Sequence, residues 1–425
     1  MPRTRWIVLG TALVLIAASL LGGGKTGASA DLVWATGSVG GGPRGASEEA
    51  VNAWNQLHPK GPRVRIERLP ESPDDQRQQM AVELAAGNSD LDILTLDLVW
   101  TGEFARNEWL ADLDDIRGQI QKASLPGPLQ SAMWKGKLWA APSTTDAAFL
   151  YYRKDLVPTP PTTWEELEEV GLRVGREHGI FPFVGQGAPY EGMVVNYLEY
   201  LWGAGGDLFS SDGTKVRFGN DPAALKALEF MRAARQSGFY APGFNTMKEE
   251  DARAAFQSGR AVFLRNWPYA YALMKGENGR NASPVADKFG IAPLPAFTGK
   301  RPVTALGGHN LAVSRFSHNR QAAKEFVRFA STTFDVQRDL AEKHSLAPTM
   351  GSVYEDLGRY PGRYPVMALL GRILPEARPR PATPEWDAIS QKIQEQVFRA
   401  YNGEEDPQDA VGQVRAFLES KVAKS

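Results

Sequence analysis

The chain has 425 residues, 43% of them hydrophobic and 23% charged, with 48 basic and 49 acidic side chains interspersed. That length exceeds one simple core, so two or three compact units are expected. A formal net charge of −1 gives no electrostatic footprint for nucleic acid or an anionic membrane surface. The absence of cysteine excludes disulfides, thiol catalysis and Cys-based metal sites.

Residues 1–30 read as an export signal. Arg3 and Arg5 precede an apolar run from Trp6 to Leu21, and Ala28-Ser29-Ala30 supplies an A-x-A cleavage pattern that makes Asp31 the mature start. A permanent anchor is the competing reading, but the run is short for a bilayer span. Leu21-Gly22-Gly23-Gly24 resembles a bacterial lipoprotein box with Gly24 at the position of the lipidated cysteine. This sequence therefore cannot be lipidated there, whether the protein is naturally secreted or a cysteine was replaced.

From Asp31 onward, short β-type runs alternate with amphipathic helices. Leu32–Ala35 reads as a strand, followed by a glycine-rich loop and a helix carrying Ala50, Val51, Trp54 and Leu57 at helical spacing. Val64–Leu69 alternates with period two. A polar helix is expected over about 75–86, then a strand over Leu91–Leu96 with Asp97 at its carboxyl end. This alternation predicts a largely parallel sheet flanked by helices. Thr163-Trp164-Glu165-Glu166 has the form of a capping box. Asp221-Pro222 opens a helix that Gly238 ends, and Ala261–Leu264 is a strand running into Asn266-Trp267-Pro268. Further β runs are expected at Gly290–Pro293 and Leu311–Val313. Ile389, Ile393, Val397 and Ala400 mark a late helix, with another from Pro407.

Several segments in order resemble the extracytoplasmic solute-binding proteins of ABC sugar importers, family 1, of maltose/trehalose type. They include Leu69-Pro70-Glu71 with Gln76-Arg77, Leu96-Asp97-Leu98-Val99-Trp100, Thr145-Asp146-Ala147, Tyr190-Glu191-Gly192-Met193, Trp267-Pro268, Gly307-Gly308 and Pro379-Arg380-Pro381. No single motif among them is decisive; their order along nearly the whole mature chain is. The resemblance implies a two-lobed α/β fold like that of periplasmic binding proteins, with mostly parallel sheets flanked by helices and a ligand cleft between lobes. It implies lobe 1 from 31–144 plus 295–333 and lobe 2 from 145–294 plus 334–425, with crossovers near Ser143–Thr145, Pro293–Ala296 and Thr332–Asp335. It further implies a monomer that needs no cofactor and delivers its ligand to the transmembrane subunits of an ABC permease.

The chemistry of these residues suits a neutral sugar, which offers hydroxyls at its edges and C–H patches on its faces. Carboxylates accept two hydroxyl hydrogen bonds, and arginine presents a donor fork. Asp97 and Asp146 lie at strand ends, where open α/β sheets bind ligands, and the resemblance puts both in the site as hydroxyl acceptors. The resemblance, which places an aromatic after this strand, makes Trp267 the expected stacking platform, with Glu191, Arg77 and Arg380 as further polar contacts and Gly307 and Gly308 allowing close backbone approach. Each has a structural competitor: turn capping for Asp97, pairing with Arg153 or Lys154 for Asp146, core packing for Trp267 and helix-start stabilisation for Glu191. Trp100 and Trp386 could be platform or core. The resemblance to the maltose/trehalose-type group makes an α-linked glucose disaccharide, trehalose ahead of maltose, the expected ligand.

Other functions fit less well. The five histidines show no metal-ligand spacing, and there is no G-x-S-x-G. A secreted glycoside hydrolase could draw an acid/base pair from Asp97, Asp146 and Glu191, and a binding protein for glycerol phosphodiesters, peptides or another non-sugar solute is a further rival. Phosphate would call for more basic groups than the segments supply.

Overall fold

The computed structural model describes residues 31–37, 45–276 and 282–422. The expected export signal and most of the glycine-rich loop after the first strand lie outside the described residues. Among those residues no helix is long and apolar enough to cross a membrane.

The strands are β1 (Leu32–Thr36), β2 (Val64–Arg68), β3 (Ile93–Asp97), β4 (Leu110–Ala111), β5 (Met133–Trp134), β6 (Lys137–Leu138) and β7 (Ala140–Ala147). They continue with β8 (Phe149–Arg153), β9 (Phe181–Val184), β10 (Ala261–Asn266), β11 (Phe289–Pro293), β12 (Ala305–Ser314), β13 (Ala347–Pro348) and β14 (Arg378–Pro379). One sheet runs β13-β7-β12-β3-β1-β2, with β4 and β14 also on β12. A second runs β11-β8-β10-β9. Every residue of β1 and of β10 is buried, as expected of strands covered by helices on both faces.

The sheets are mixed, which corrects the expectation of mostly parallel pairing. β1 pairs parallel with β2 and β3, and β9 with β10. β12, however, runs antiparallel between β3 and β7, and β8 runs antiparallel to both β10 and β11. β12 was legible only at its apolar end, because Gly307-Gly308-His309-Asn310 interrupts the hydrophobic pattern.

The expected helices form with their signals in use. Glu166 N–H donates to Thr163 Oγ1 at 3.1 Å, while the Glu166 carboxylate accepts from Thr162 N at 2.9 Å. That second bond reaches one residue further back than a standard capping box. Gly179 closes the helix Trp164–His178 with φ +65°, a conformation that favours glycine.

The chain changes sheets between β7 and β8 and again between β11 and β12. A passage at Thr332–Asp335 is not seen. Thr333 separates the helices Arg320–Thr332 and Phe334–His344, which pack on β12 and β13 of the first sheet. β13 and β14 also join that sheet, so 334–425 does not belong wholly to the second unit. The helix Pro365–Ile373 packs on β11 of the second sheet before β14 rejoins the first, and after β14 the helix Trp386–Tyr401 packs on Glu191–Gly203 and Ala223–Gln236.

Candidate functional site

Asp97 ends β3, and Asp146 sits one residue from the end of β7. β12 lies between these strands and holds His309 opposite Asp97 and Gly307 opposite Asp146. Three neighbouring strand ends thus converge on one patch. The second unit faces it with Trp267, immediately after β10, and with Glu191, the first residue of its helix. Arg380 follows β14 between the two. Asp97, Asp146, Glu191, Trp267, Gly307, Gly308 and Arg380 all line one cavity of about 60 Å³. That is room for a few waters, well below the roughly 300–1,000 Å³ of a ligand pocket. A ligand of sugar size therefore enters only when the walls separate.

Arg380 ties the two units together. It is buried and donates to Asp97 Oδ1 at 2.7 Å and, through its other terminal nitrogen, to Glu191 Oε1. Glu191 also accepts from Trp386 Nε1 at 3.0 Å and from the Ser390 hydroxyl. Its carboxylate is therefore committed to side chains rather than to its own helix start, and Trp386 is core that orients Glu191. Asp97 combines both readings, since it also accepts from Val99 N at 3.2 Å across the turn.

Asp146 is 5% exposed, and its Oδ1 has no hydrogen-bond partner among the described residues. Neither Arg153 nor Lys154 pairs with it, because Arg153 is held bidentate by Asp155. Burial, reinforced by the Asp97 charge, pushes the Asp146 carboxyl up to about 8. Burial likewise lifts Glu191 to about 7 against the opposing pull of Arg380. It also raises Glu249, which accepts from Tyr190 Oη at 2.6 Å. The desolvated charged form is disfavoured in each case.

Trp267 packs closely on the opposite unit. A Cβ added at Gly307 would lie 3.0 Å from the indole Cζ3 and 3.2 Å from the Asp146 Cβ. The Arg265 guanidinium stacks on the indole with its carbon 4.2 Å from the ring centroid, a cation–π arrangement. Gly308 has φ +128°, and a Cβ there would fall 2.3 Å from Thr144 O, so only glycine fits this crossing of strands.

Arg77 is the one expected site residue that does not line the cavity. It donates to Glu103 at 2.9 Å and meets Asp387 at 3.1 Å. Its neighbour Gln76 lines the cavity instead, as do Glu71, Trp100, Glu249 and His309. Glu249 and His309 were missed: the first reads as one of three acidic residues opening the helix Glu249–Gln257, and the second as a lone histidine. The only signal for His309 was its place directly after the glycine pair.

Two mixed sheets flanked by helices, with polar and aromatic side chains from both units closing on one cavity, define a two-lobed binding protein. Residues 40–333 match the model of the bacterial extracellular solute-binding proteins, and the chain belongs to that family. A probable ABC transporter-binding protein of Deinococcus radiodurans is 32% identical over 392 residues, 89% of each chain. Maltose-bound T. maritima MalE3 superposes with a TM-score of 0.86 at 34% identity, covering 92% of this chain and 99% of that one. The acarbose-binding GacH receptor of Streptomyces glaucescens shares the fold, with a TM-score of 0.80 at 24% identity over 93% and 98% of the two chains. The family is extracytoplasmic and serves transport by binding; the protein is not an enzyme.

Proposed function

We propose that this protein is the sugar-capturing component of an ABC importer, closing on a disaccharide or short oligosaccharide and presenting it to the permease subunits. An α-linked glucose disaccharide of maltose or trehalose type is the favoured ligand. The observation that carries this reading is the convergence of Asp97, Asp146, Trp267 and Arg380 on one cavity between the two units. Carboxylates and a guanidinium suit hydroxyl edges, and an indole backed on one face by Arg265 suits a sugar face. The maltose seen in the MalE3 structure supports the choice of sugar, as does the name of a maltotriose-binding protein of Pyrococcus abyssi, 24% identical over 68% of this chain and 61% of its own.

The lobes are taken as the two sheet units, divided near 144/145 and 294/295, with β13 and β14 rejoining the first. Ligand docks while the cleft is open, and hinge rotation brings the opposing groups onto it. The sugar shifts the equilibrium because its closed-form contacts are absent when open. The mature chain acts as an exported monomer.

Thermal-shift screening against trehalose, maltose and a glycerol phosphodiester tests the ligand class, since stabilisation grows with the logarithm of ligand over Kd. Stabilisation by an α-glucoside is expected. A response only to the phosphodiester, or to none of the three, overturns the assignment. Trp267→Ala is expected to weaken the best binder more than tenfold, about 1.4 kcal/mol, in titration calorimetry.

A further inference from the structure

Behind Trp267 lies a polar network whose members do not line the cavity. Arg265 and Glu199 are 2% and 3% exposed and form a bidentate pair, Nε to Oε2 at 3.0 Å and Nη2 to Oε1 at 2.8 Å. Arg265 also donates to Gln186 Oε1 at 3.0 Å, and Gln186 Nε2 donates back to Arg265 O at 3.2 Å. The guanidinium is therefore fixed in one plane, and that plane carries the Trp267 indole.

The other end of the network reaches the chain passages between sheets. Glu199 Oε1 accepts from the backbone N–H of Ala305, the first residue of β12, at 3.0 Å, and lies 3.4 Å from Thr304 Oγ1. Thr304 Oγ1 in turn accepts from Ala148 N at 2.8 Å, and Ala148 is the single residue between β7 and β8. Thr304 O accepts from Arg378 N at 2.9 Å, at the start of β14, two residues before Arg380. All three passages of the chain thus meet at Thr304, one hydrogen bond from Glu199.

A buried ion pair is a costly way to fill space. Apolar residues of similar volume are often as stable or more so, whereas removing one partner strands a charge. What the pair provides that a hydrophobic core would not is directional linkage, since a bidentate guanidinium fixes angles as well as distance.

We propose that Arg265 and Glu199 are positioning residues that couple the setting of the three interlobe passages to the orientation of the Trp267 indole. When the hinge turns, Thr304 and Ala305 move with it, Glu199 follows, and Arg265 carries the ring. The importance of this for transport rests on Trp267 being the sugar platform, but the coupling itself is readable without ligand.

The test uses the mature chain. Because it has no cysteine, Glu177→Cys on the second unit and Gln321→Cys on the first take a dye pair reporting their separation. Trp267 emission is isolated by subtracting the spectrum of the Trp267→Phe counterpart. Thr304→Val removes the hydroxyl node while keeping the ion pair, and Arg265→Lys removes the bidentate plane. Each is expected to shift both the ligand-free interlobe distance distribution and the Trp267 emission, and Thr304→Ser is expected to restore both. A Thr304→Val protein in which one readout moves without the other, or neither moves, overturns the coupling. If Arg265→Lys fails to fold, the Thr304 pair of variants still decides. Failure of the sugar assignment would show separately, as Trp267→Ala leaving sugar affinity unchanged.

Discussion

Replacing Asp146 with Asn should leave the ligand-free cleft far less sensitive to pH. In the closed structure burial first, and the Asp97 charge second, move the Asp146 carboxyl from 3.8 to about 8, with Arg265 opposing. Opening hydrates the group and returns it toward its ordinary value, so the closed form holds a proton that the open form releases. Between about pH 4 and about pH 8 the closed form binds more protons, and the free energy favouring closure falls as pH rises through that window. The contribution is fully present below about pH 4 and gone above about pH 8. At about 1.4 kcal/mol per tenfold change in proton affinity, the ceiling is roughly 6 kcal/mol, and residual water in the closed cavity reduces it. Glu191, raised from 4.5 to about 7, and Glu249, raised by burial, act with the same sign. His309, held below its usual value by burial, acts oppositely at the acid end. Small-angle scattering of the ligand-free protein from about pH 5 to about pH 9 should show expansion as pH rises, strongly reduced in Asp146→Asn. A wild-type radius of gyration flat across that range, or an Asn variant with the full response, refutes the reasoning.

Arg380→Met strips Glu191 and Asp97 of their shared buried cation, and denaturant titration should show a loss of about 3–5 kcal/mol, as for other broken buried pairs. Gly307→Ala places a methyl 3.0 Å from the indole Cζ3, so the ring must yield by a few tenths of an ångström. Calorimetry with the best disaccharide should show weakening of roughly tenfold, about 1.4 kcal/mol, with an unchanged circular dichroism spectrum. Arg77→Ala should leave sugar affinity unchanged and lower the melting temperature, because Arg77 serves Glu103 and Asp387; an affinity loss matching that of Trp267→Ala would return it to the site.

Legibility in the sequence followed local geometry. Asp97 and Trp267 lie at or just past β runs visible in the sequence, and strand ends are where a sheet presents side chains to a cleft, but it was the resemblance that put both forward for the site. Asp146 rested on it more fully, because the polar run Ala140–Ala147 of β7 carries no β pattern. Gln76 and Arg77 show where that fails. They are adjacent on the helix Pro73–Ala85, about 100° apart around its axis, and spacing alone does not say which one faces inward. Long β12 was hidden because the glycines that let Trp267 and Thr144 approach also erase its β signature. The Arg265–Glu199 pair is separated by 66 positions, and no local pattern connects its members.

The cavity is acid-rich. Glu71, Asp97, Asp146, Glu191 and Glu249 line it with Arg380 as the cation among its walls, and Asp146 Oδ1 finds no donor among the described residues. Closing such a cleft on itself confines carboxyl groups that burial drives toward their protonated forms, which opposes closure at neutral pH. Sugar hydroxyls would supply the missing donors in the closed form alone, and only such differential contacts shift the equilibrium. A cleft whose acceptors were already satisfied would close as readily when empty, and a permease could not then distinguish a loaded protein from an unloaded one. The unmet hydrogen bond of Asp146 is, on this reasoning, what makes closure depend on the ligand.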